Sequence, residues 1–226
     1  MKYTTLLFDL DDTLLDFGRA EDNAINRLFA KYGIPATEEN KLTYVELNKA
    51  KWRALEKKGI TREELFKTRF TDFFSLMGVE ADGIKANDEF ISYIAGGSFI
   101  IDGALKTCRE LHKNYKMYII TNGSKKAQRG RLTESPLMSC FDGVFISEEI
   151  GFVKPEKGFF DYVLSEIDEK DRKRIMVIGD SLNSDIAGAV SSGLDSCWIN
   201  RSGEMKKSDA TYEIRGIDGL LQVLDI

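Results

Sequence analysis

Residues 5–16 read TLLFDLDDTLLD. An apolar run, Thr4–Phe8, stops, and the carboxylates Asp9, Asp11 and Asp12 crowd its end. Like charges at that spacing repel, and each loses hydration if the site closes even partly. In a strand, residues two apart face the same way, so Asp9 and Asp11 share a side while Leu10 packs inward. A calcium loop of the EF-hand kind does not fit: Leu14 stands where the sharp-turn glycine belongs and Ala20 where the bidentate glutamate belongs. Taken alone, the stretch reads equally well as a solvated acidic turn.

Outward from this run, similar short apolar segments recur at 117–121, 144–146, 175–179 and 196–199. Most are near-continuous in Val, Ile, Leu, Phe and Met rather than alternating, the pattern of strands covered on both faces. Helical periodicity separates the later ones. Leu105, Cys108 and Leu111 form one stripe, and Phe159, Phe160, Val163, Leu164 and Ile167 another, while Gly193 suits a left-handed helix end. Strands alternating with helices predict an α/β fold with a doubly wound, mainly parallel, Rossmann-like sheet.

The stretch from 16 to 98 has no strand signal. Ala24, Ile25, Leu28 and Phe29 make a helical stripe ending at Gly33-Ile34-Pro35, and Thr37 opens a second helix that runs past Tyr44, Leu47 and Trp52. Thr61 and Glu64 have capping-box spacing ahead of Leu65, Phe66 and Phe70. A last stripe, Phe90, Ile91 and Ile94, stops at Gly96-Gly97. The predicted organisation is a core of residues 1–15 and 99–226 interrupted by an all-helical insert, 16–98.

The chain has 226 residues, 42% of them hydrophobic and 31% charged, ample for a sizeable core. A formal net charge of -5 disfavours a nucleic-acid polymer or an anionic membrane as partner, yet leaves room for a small anion. No apolar run is long enough to span a bilayer, and the N-terminal residues enter a strand without a long apolar leader. Cys108, Cys140 and Cys197 are scattered and unpaired in sequence, which suits reduced thiols in a cytoplasmic protein. His112 is the single histidine and sits among helix-surface residues, so a Ser-His-Asp triad has no base.

Other strand ends carry chemistry as well. YIITNGS sets Thr121 and Asn122 at the end of one apolar run, and GFVKPEKGFF sets Lys154 before a proline able to open a helix. IMVIGDSLNSDIAG sets Asp180 at the end of a further run and Asp185 one turn on. Singly, Thr121 reads as a helix cap, Lys154 as a surface lysine and Asp185 as a first-turn acid favoured by the helix dipole. Open parallel sheets, however, build ligand sites beyond the carboxyl ends of their strands, and that edge is where Asp9, Thr121 and Asp180 fall.

DLDDT, ITN, KP and GDSLNSD resemble, in order, the four motifs of the haloacid dehalogenase superfamily, and the resemblance spans essentially the whole chain, helical cap included. It implies Asp9 as nucleophile, Asp11 as general acid and then base, and Thr121 and Lys154 as partners of the phosphoryl group. It also implies Mg²⁺ held by Asp9, the backbone carbonyl of Asp11 and Asp180, with Asp185 in support. Asp12 takes no catalytic role and is expected to cap or face solvent. The stretch 46–70 further resembles the cap of bacterial pyrimidine 5′-nucleotidases, through Asn48, Trp52, Gly59-Ile60-Thr61 and Arg69-Phe70. Asn48 and Trp52 share a helical face at i, i+4 and are expected, with Asn122, to meet the substrate. Phe70 fits the cap's own core.

The expected function is thus hydrolysis of a small phosphorylated metabolite, a nucleoside 5′-monophosphate first, through an aspartyl-phosphate. Sugar phosphates or phosphoglycolate, a phosphomutase, a haloacid dehalogenase and a non-catalytic metal-binding module are the alternatives. Asp102, before the glycine where many relatives carry proline, departs from the pattern at the return to the core.

Overall fold

The computed structural model describes residues 2–133 and 135–226. Among them, six strands form one parallel sheet in the order β3-β2-β1-β4-β5-β6. The strands are β1 (Thr5–Phe8), β2 (Lys116–Thr121), β3 (Gly143–Ile146), β4 (Ile175–Gly179), β5 (Asp195–Ile199) and β6 (Tyr212–Ile214). Side-chain alternation explains the unbroken apolar runs. Leu6 and Phe8 of β1, with Met176 and Ile178 of β4, face one core together with Ala104, Cys108 and Leu111. Leu7, Ile175 and Val177 face the other, under Phe159, Phe160 and Val163. Both faces are covered, so apolar side chains dominate the strands, with Thr5 and Ser196 as buried polar exceptions near strand starts.

The chain divides into two compact units, Met1–Phe17 with Ser98–Ile226, and Gly18–Gly97. The second is built from α1 (Phe17–Tyr32, whose first residue belongs to the other unit), α2 (Glu38–Glu56), α3 (Arg62–Met77) and α4 (Gly83–Ala95). Thr37 caps α2, and Thr61 and Glu64 close a reciprocal capping box on α3. Aromatic rings fill its centre, Phe29 stacked on Phe73 at 5.3 Å and Tyr44 on Phe70 at 5.2 Å. In the sheet unit the two chain crossings lie side by side: Asp16 donates its backbone N–H to Phe99 at 2.8 Å, and Leu15 pairs antiparallel with Ile100.

The sheet unit's helices include α5 (Ala104–Leu111), α6 (Lys125–Thr133), α7 (Ser147–Ile150) and α8 (Lys157–Glu166). Two local expectations change. Pro155 does not open α8: its peptide with Lys154 is cis, and the helix starts at Lys157 after Glu156. The segment after β4 begins with a wide π-helical turn, Leu182–Ile186, before a short α-helix, Ala187–Ser191. No described helix is long and apolar enough to cross a membrane.

Candidate active site

Asp9 follows β1 and is anchored to the neighbouring strand by its backbone N–H, which donates to Ile178 at 2.8 Å. Its carboxylate meets Lys154, whose buried ammonium donates to Asp9 Oδ1 at 2.6 Å, Asp185 Oδ1 at 2.7 Å and the Ile120 carbonyl at 3.0 Å. All three ammonium hydrogens are therefore used. Asn122 fixes the lysine's backbone reciprocally: its side-chain amide donates to the Lys154 carbonyl at 2.9 Å, and its Oδ1 accepts from the Lys154 N–H at 2.8 Å. Asn122 thus orients Lys154.

Asp185 is fully buried and takes the Ser181 N–H on Oδ2 at 3.1 Å. The wide turn makes this close return possible, and Gly179 makes room for it, since a Cβ there would lie 2.2 Å from Asp185 Oδ2. Asp180 sits between, with Trp198 donating its indole N–H to the Asp180 carbonyl at 2.8 Å. Carboxylate oxygens of Asp9, Asp180 and Asp185 lie within 4.8 Å of one another.

One ammonium is bonded to two of the three clustered carboxylates, Asp9 and Asp185, and negative charge is in excess. Burial, with the charges of Asp185, Asp180 and Asp11, pushes Asp9 well above the usual carboxylate range despite Lys154. Burial, then Asp185 and Asp12, raises Asp180 to about 8. Burial works against the Lys154 ammonium, but Asp185 and Asp9 outweigh it and hold its pKa above the ordinary lysine value. A hard divalent cation would relieve this crowding, and an all-oxygen donor set is the one Mg²⁺ takes. The residues fit that ion.

Thr121 is buried at the end of β2. Its Oγ1 accepts from the Gly123 N–H at 3.1 Å and from the Gln128 amide at 2.8 Å, which fills both lone pairs and leaves its own hydrogen to be donated. Asp11 is half-buried. Gln128 Nε2 donates to its Oδ2 at 2.7 Å, and Arg131 Nη1 donates to its Oδ1. Asp12, at φ 56°, accepts the Phe17 N–H on Oδ1 at 3.0 Å and so caps the start of α1.

Gln128 and Arg131 escaped the sequence reading. KKAQRGRLT on α6 looks like a solvated basic face. The available signal was their i, i+3 spacing on a helix that starts just past the Thr121 strand end, which turns both toward that edge.

In the helical unit, Asn48 does not offer its amide to solvent. It is buried, donates to Glu21 at 2.7 Å and accepts from Arg69 at 3.1 Å, and Arg69 reaches on to Asn87. A guanidinium buried among phenyl rings needs such acceptors, which is why the amide is engaged there. Trp52 is half-buried, with the Arg62 guanidinium 5.8 Å from its ring centre. Phe70 is wholly buried core.

The sequence profile of the haloacid dehalogenase-like hydrolases matches residues 3–193. YfnB of Bacillus subtilis, named as a HAD-hydrolase, is 39% identical over all of this chain and 97% of its own length. Its crystal structure, bound to magnesium, superposes with a TM-score of 0.94 over the whole of both chains. The pyrimidine 5′-nucleotidase PynA of Streptococcus pneumoniae is 38% identical over 100% of this chain and 96% of its own. The pyrimidine 5′-nucleotidase YjjG of Escherichia coli is 35% identical over 88% and 87%.

Proposed function

The chain belongs to the haloacid dehalogenase-like hydrolases, and from that premise we propose that it is a Mg²⁺-dependent phosphomonoesterase acting on nucleoside 5′-monophosphates in the cytoplasm. One observation carries the reading: Asp9, Asp11, Thr121, Lys154, Asp180 and Asp185 converge at one edge of the sheet, with Lys154 bridging Asp9 and Asp185. Relatives that act as pyrimidine 5′-nucleotidases over nearly the full length support the substrate class. Three buried free thiols suit a reducing compartment.

In the proposed reaction an Asp9 oxygen attacks phosphorus while the bond to the ester oxygen breaks. Asp11 gives its proton to the departing alkoxide, then takes one from the water that cleaves the aspartyl-phosphate, returning Asp9 and releasing inorganic phosphate. Thr121 donates its remaining hydrogen to a phosphoryl oxygen, and Lys154 holds Asp9 in line while offsetting charge. Asp9, the Asp11 carbonyl and Asp180 would hold Mg²⁺, with Asp185 behind them, and the ion supplies Lewis-acid neutralisation of the phosphoryl oxygens. The helical unit is assigned the choice of substrate, with Trp52 as the base-contacting ring.

The test is hydrolysis across a panel of nucleoside monophosphates, sugar phosphates, phosphoglycolate and an aryl phosphate. Preference for pyrimidine monophosphates, abolished by Asp9→Asn, is the expected result. Retained turnover in that variant sinks the nucleophile assignment. Trp52→Ala should remove base stacking worth about 1–3 kcal/mol, a loss in kcat/KM of roughly 5- to 150-fold on nucleotides, with little change on a donor lacking a base. Equal losses on both, with a lowered melting temperature, would make Trp52 a packing residue instead.

A further inference from the structure

The carboxylate proposed as acid and base is gripped from one helix. Gln128 spends both hydrogens of its amide on the site, one on Asp11 Oδ2 at 2.7 Å and one on Thr121 Oγ1 at 2.8 Å. Its own Oε1 accepts from Arg131 Nη1 at 3.3 Å, which fixes which end of the amide is which. Arg131 takes the other Asp11 oxygen, so both oxygens of that carboxylate have a donor from α6. Arg131 is completely buried, with the Phe17 ring 5.9 Å from its guanidinium. Gly123 leaves the space the amide needs, since a Cβ there would lie 2.1 Å from Gln128 Nε2.

We propose that Gln128 and Arg131 are positioning residues that aim the Asp11 carboxylate and the Thr121 hydroxyl at the reacting phosphoryl group. The inference rests on the phosphomonoesterase reading above. Stability alone is a poor reason for this arrangement. Burying a guanidinium against a carboxylate generally returns no more than an apolar side chain of the same size would. A leucine or methionine would pack α6 as well and leave Asp11 free to swing. The clamp does what packing cannot: it restricts Asp11 to one direction and fills the second lone pair of Thr121, leaving that hydroxyl only able to donate. Acid–base catalysis needs its group within hydrogen-bond reach of the moving proton, so losing the aim loses part of its effect.

The experiment compares Gln128→Met, Arg131→Met and Arg131→Lys, each alone and with Asp11→Asn, using a nucleoside monophosphate and an aryl phosphate. On the nucleotide each methionine variant should lower kcat by about 10-fold or more, a fraction of the full acid–base effect, with KM held within about threefold. The aryl phosphate, whose leaving group needs less protonation, should lose less. Arg131→Lys should lose less than Arg131→Met. On the Asp11→Asn background, Arg131→Met should cost nothing further, whereas Gln128→Met should keep the part that acts through Thr121. Unchanged kcat in folded methionine variants, or an Arg131→Met loss that adds in full to Asp11→Asn, overturns the proposal. Should Arg131→Met fail to fold, Gln128→Met decides alone: full kcat refutes the clamp, and a kcat loss at constant KM supports it. An active Asp9→Asn enzyme would instead overturn the underlying mechanism, so the two failures are separable.

Discussion

A methyl group at residue 179 would probe how closely the site is built. Gly179 ends β4, and a Cβ there would lie 2.2 Å from Asp185 Oδ2 and 2.4 Å from its Cγ, so the carboxylate must move. Moving it loosens the Lys154 ammonium that Asp185 shares with Asp9. Gly179→Ala should therefore raise the Mg²⁺ concentration for half-maximal activity by about 10- to 100-fold, the usual scale when a supporting residue of a metal site is disturbed. A Mg²⁺ titration beside a circular dichroism spectrum checks it, and an unchanged midpoint would mean Asp185 does not support the cation. The same residue-scale geometry sets what the sequence could disclose. Asp9, Thr121 and Asp180 were legible because a polar residue directly after a buried apolar run has to face the open edge. Gln128, Arg131 and the true engagement of Asn48 were not, since nothing in a helical i, i+3 or i, i+4 pattern says which partner a polar side chain finds.

Single elements are held at their starts as firmly as the site is held at their ends. Asp142 precedes β3 and accepts the Met117 N–H of β2 at 2.9 Å and the Lys116 ammonium at 2.8 Å, while its own N–H returns to the Met117 carbonyl at 2.7 Å. This knot sets the register in which Tyr118 faces Gly143. Burial pulls the Asp142 carboxyl upward, but Lys116 and the Met117 N–H outweigh it and leave its pKa below the usual 3.8. A carboxyl whose folded pKa is depressed contributes fully above the unfolded value and loses its contribution as pH falls through the folded one. Asp142→Ala should cost about 1 kcal/mol at pH 7, chiefly the buried-side hydrogen bond, because the exposed lysine adds little. The gap between variant and parent should narrow below about pH 4. Urea titrations from pH 7 to pH 3 measure it, and a pH-independent gap would assign the loss to packing. Elements with strong periodicity or caps, such as α3 behind its Thr61–Glu64 box, were readable in advance. β6, three residues long and following a polar loop, carries too little pattern to be found, and no local pattern around Lys154 or Asp185 marks the cis peptide or the π-turn.

At the scale of the whole chain, the acidic cluster exists only once the sheet has assembled. Asp9 and Asp180 are far apart in the sequence and meet because β1 and β4 are neighbours. The sequence reads 16–98 as a helical block without strand signal; the compact helical unit runs Gly18–Gly97, and the crossings of the sheet unit rejoin at Asp16 and Phe99. An unfolded chain scatters the three carboxylates, so a cation that binds them binds the folded state alone. Linkage then gives about 2.7 kcal/mol of stabilisation at a hundred times the dissociation constant. For a chain of this size that corresponds to a rise in melting temperature of roughly 5–10 °C. The heating curve should place that rise in the unit that carries the sheet: if the two units melt separately, only the transition of residues 1–17 with 98–226 should move. Chelator should reverse both the shift and the phosphatase activity, and Asp180→Asn should abolish the shift while leaving the helical unit's transition where it was. Calorimetry with Mg²⁺, with chelator and with the variant decides the matter. A melting profile indifferent to millimolar Mg²⁺ would detach the cation from this carboxylate cluster and leave it to the counter-charge of Lys154.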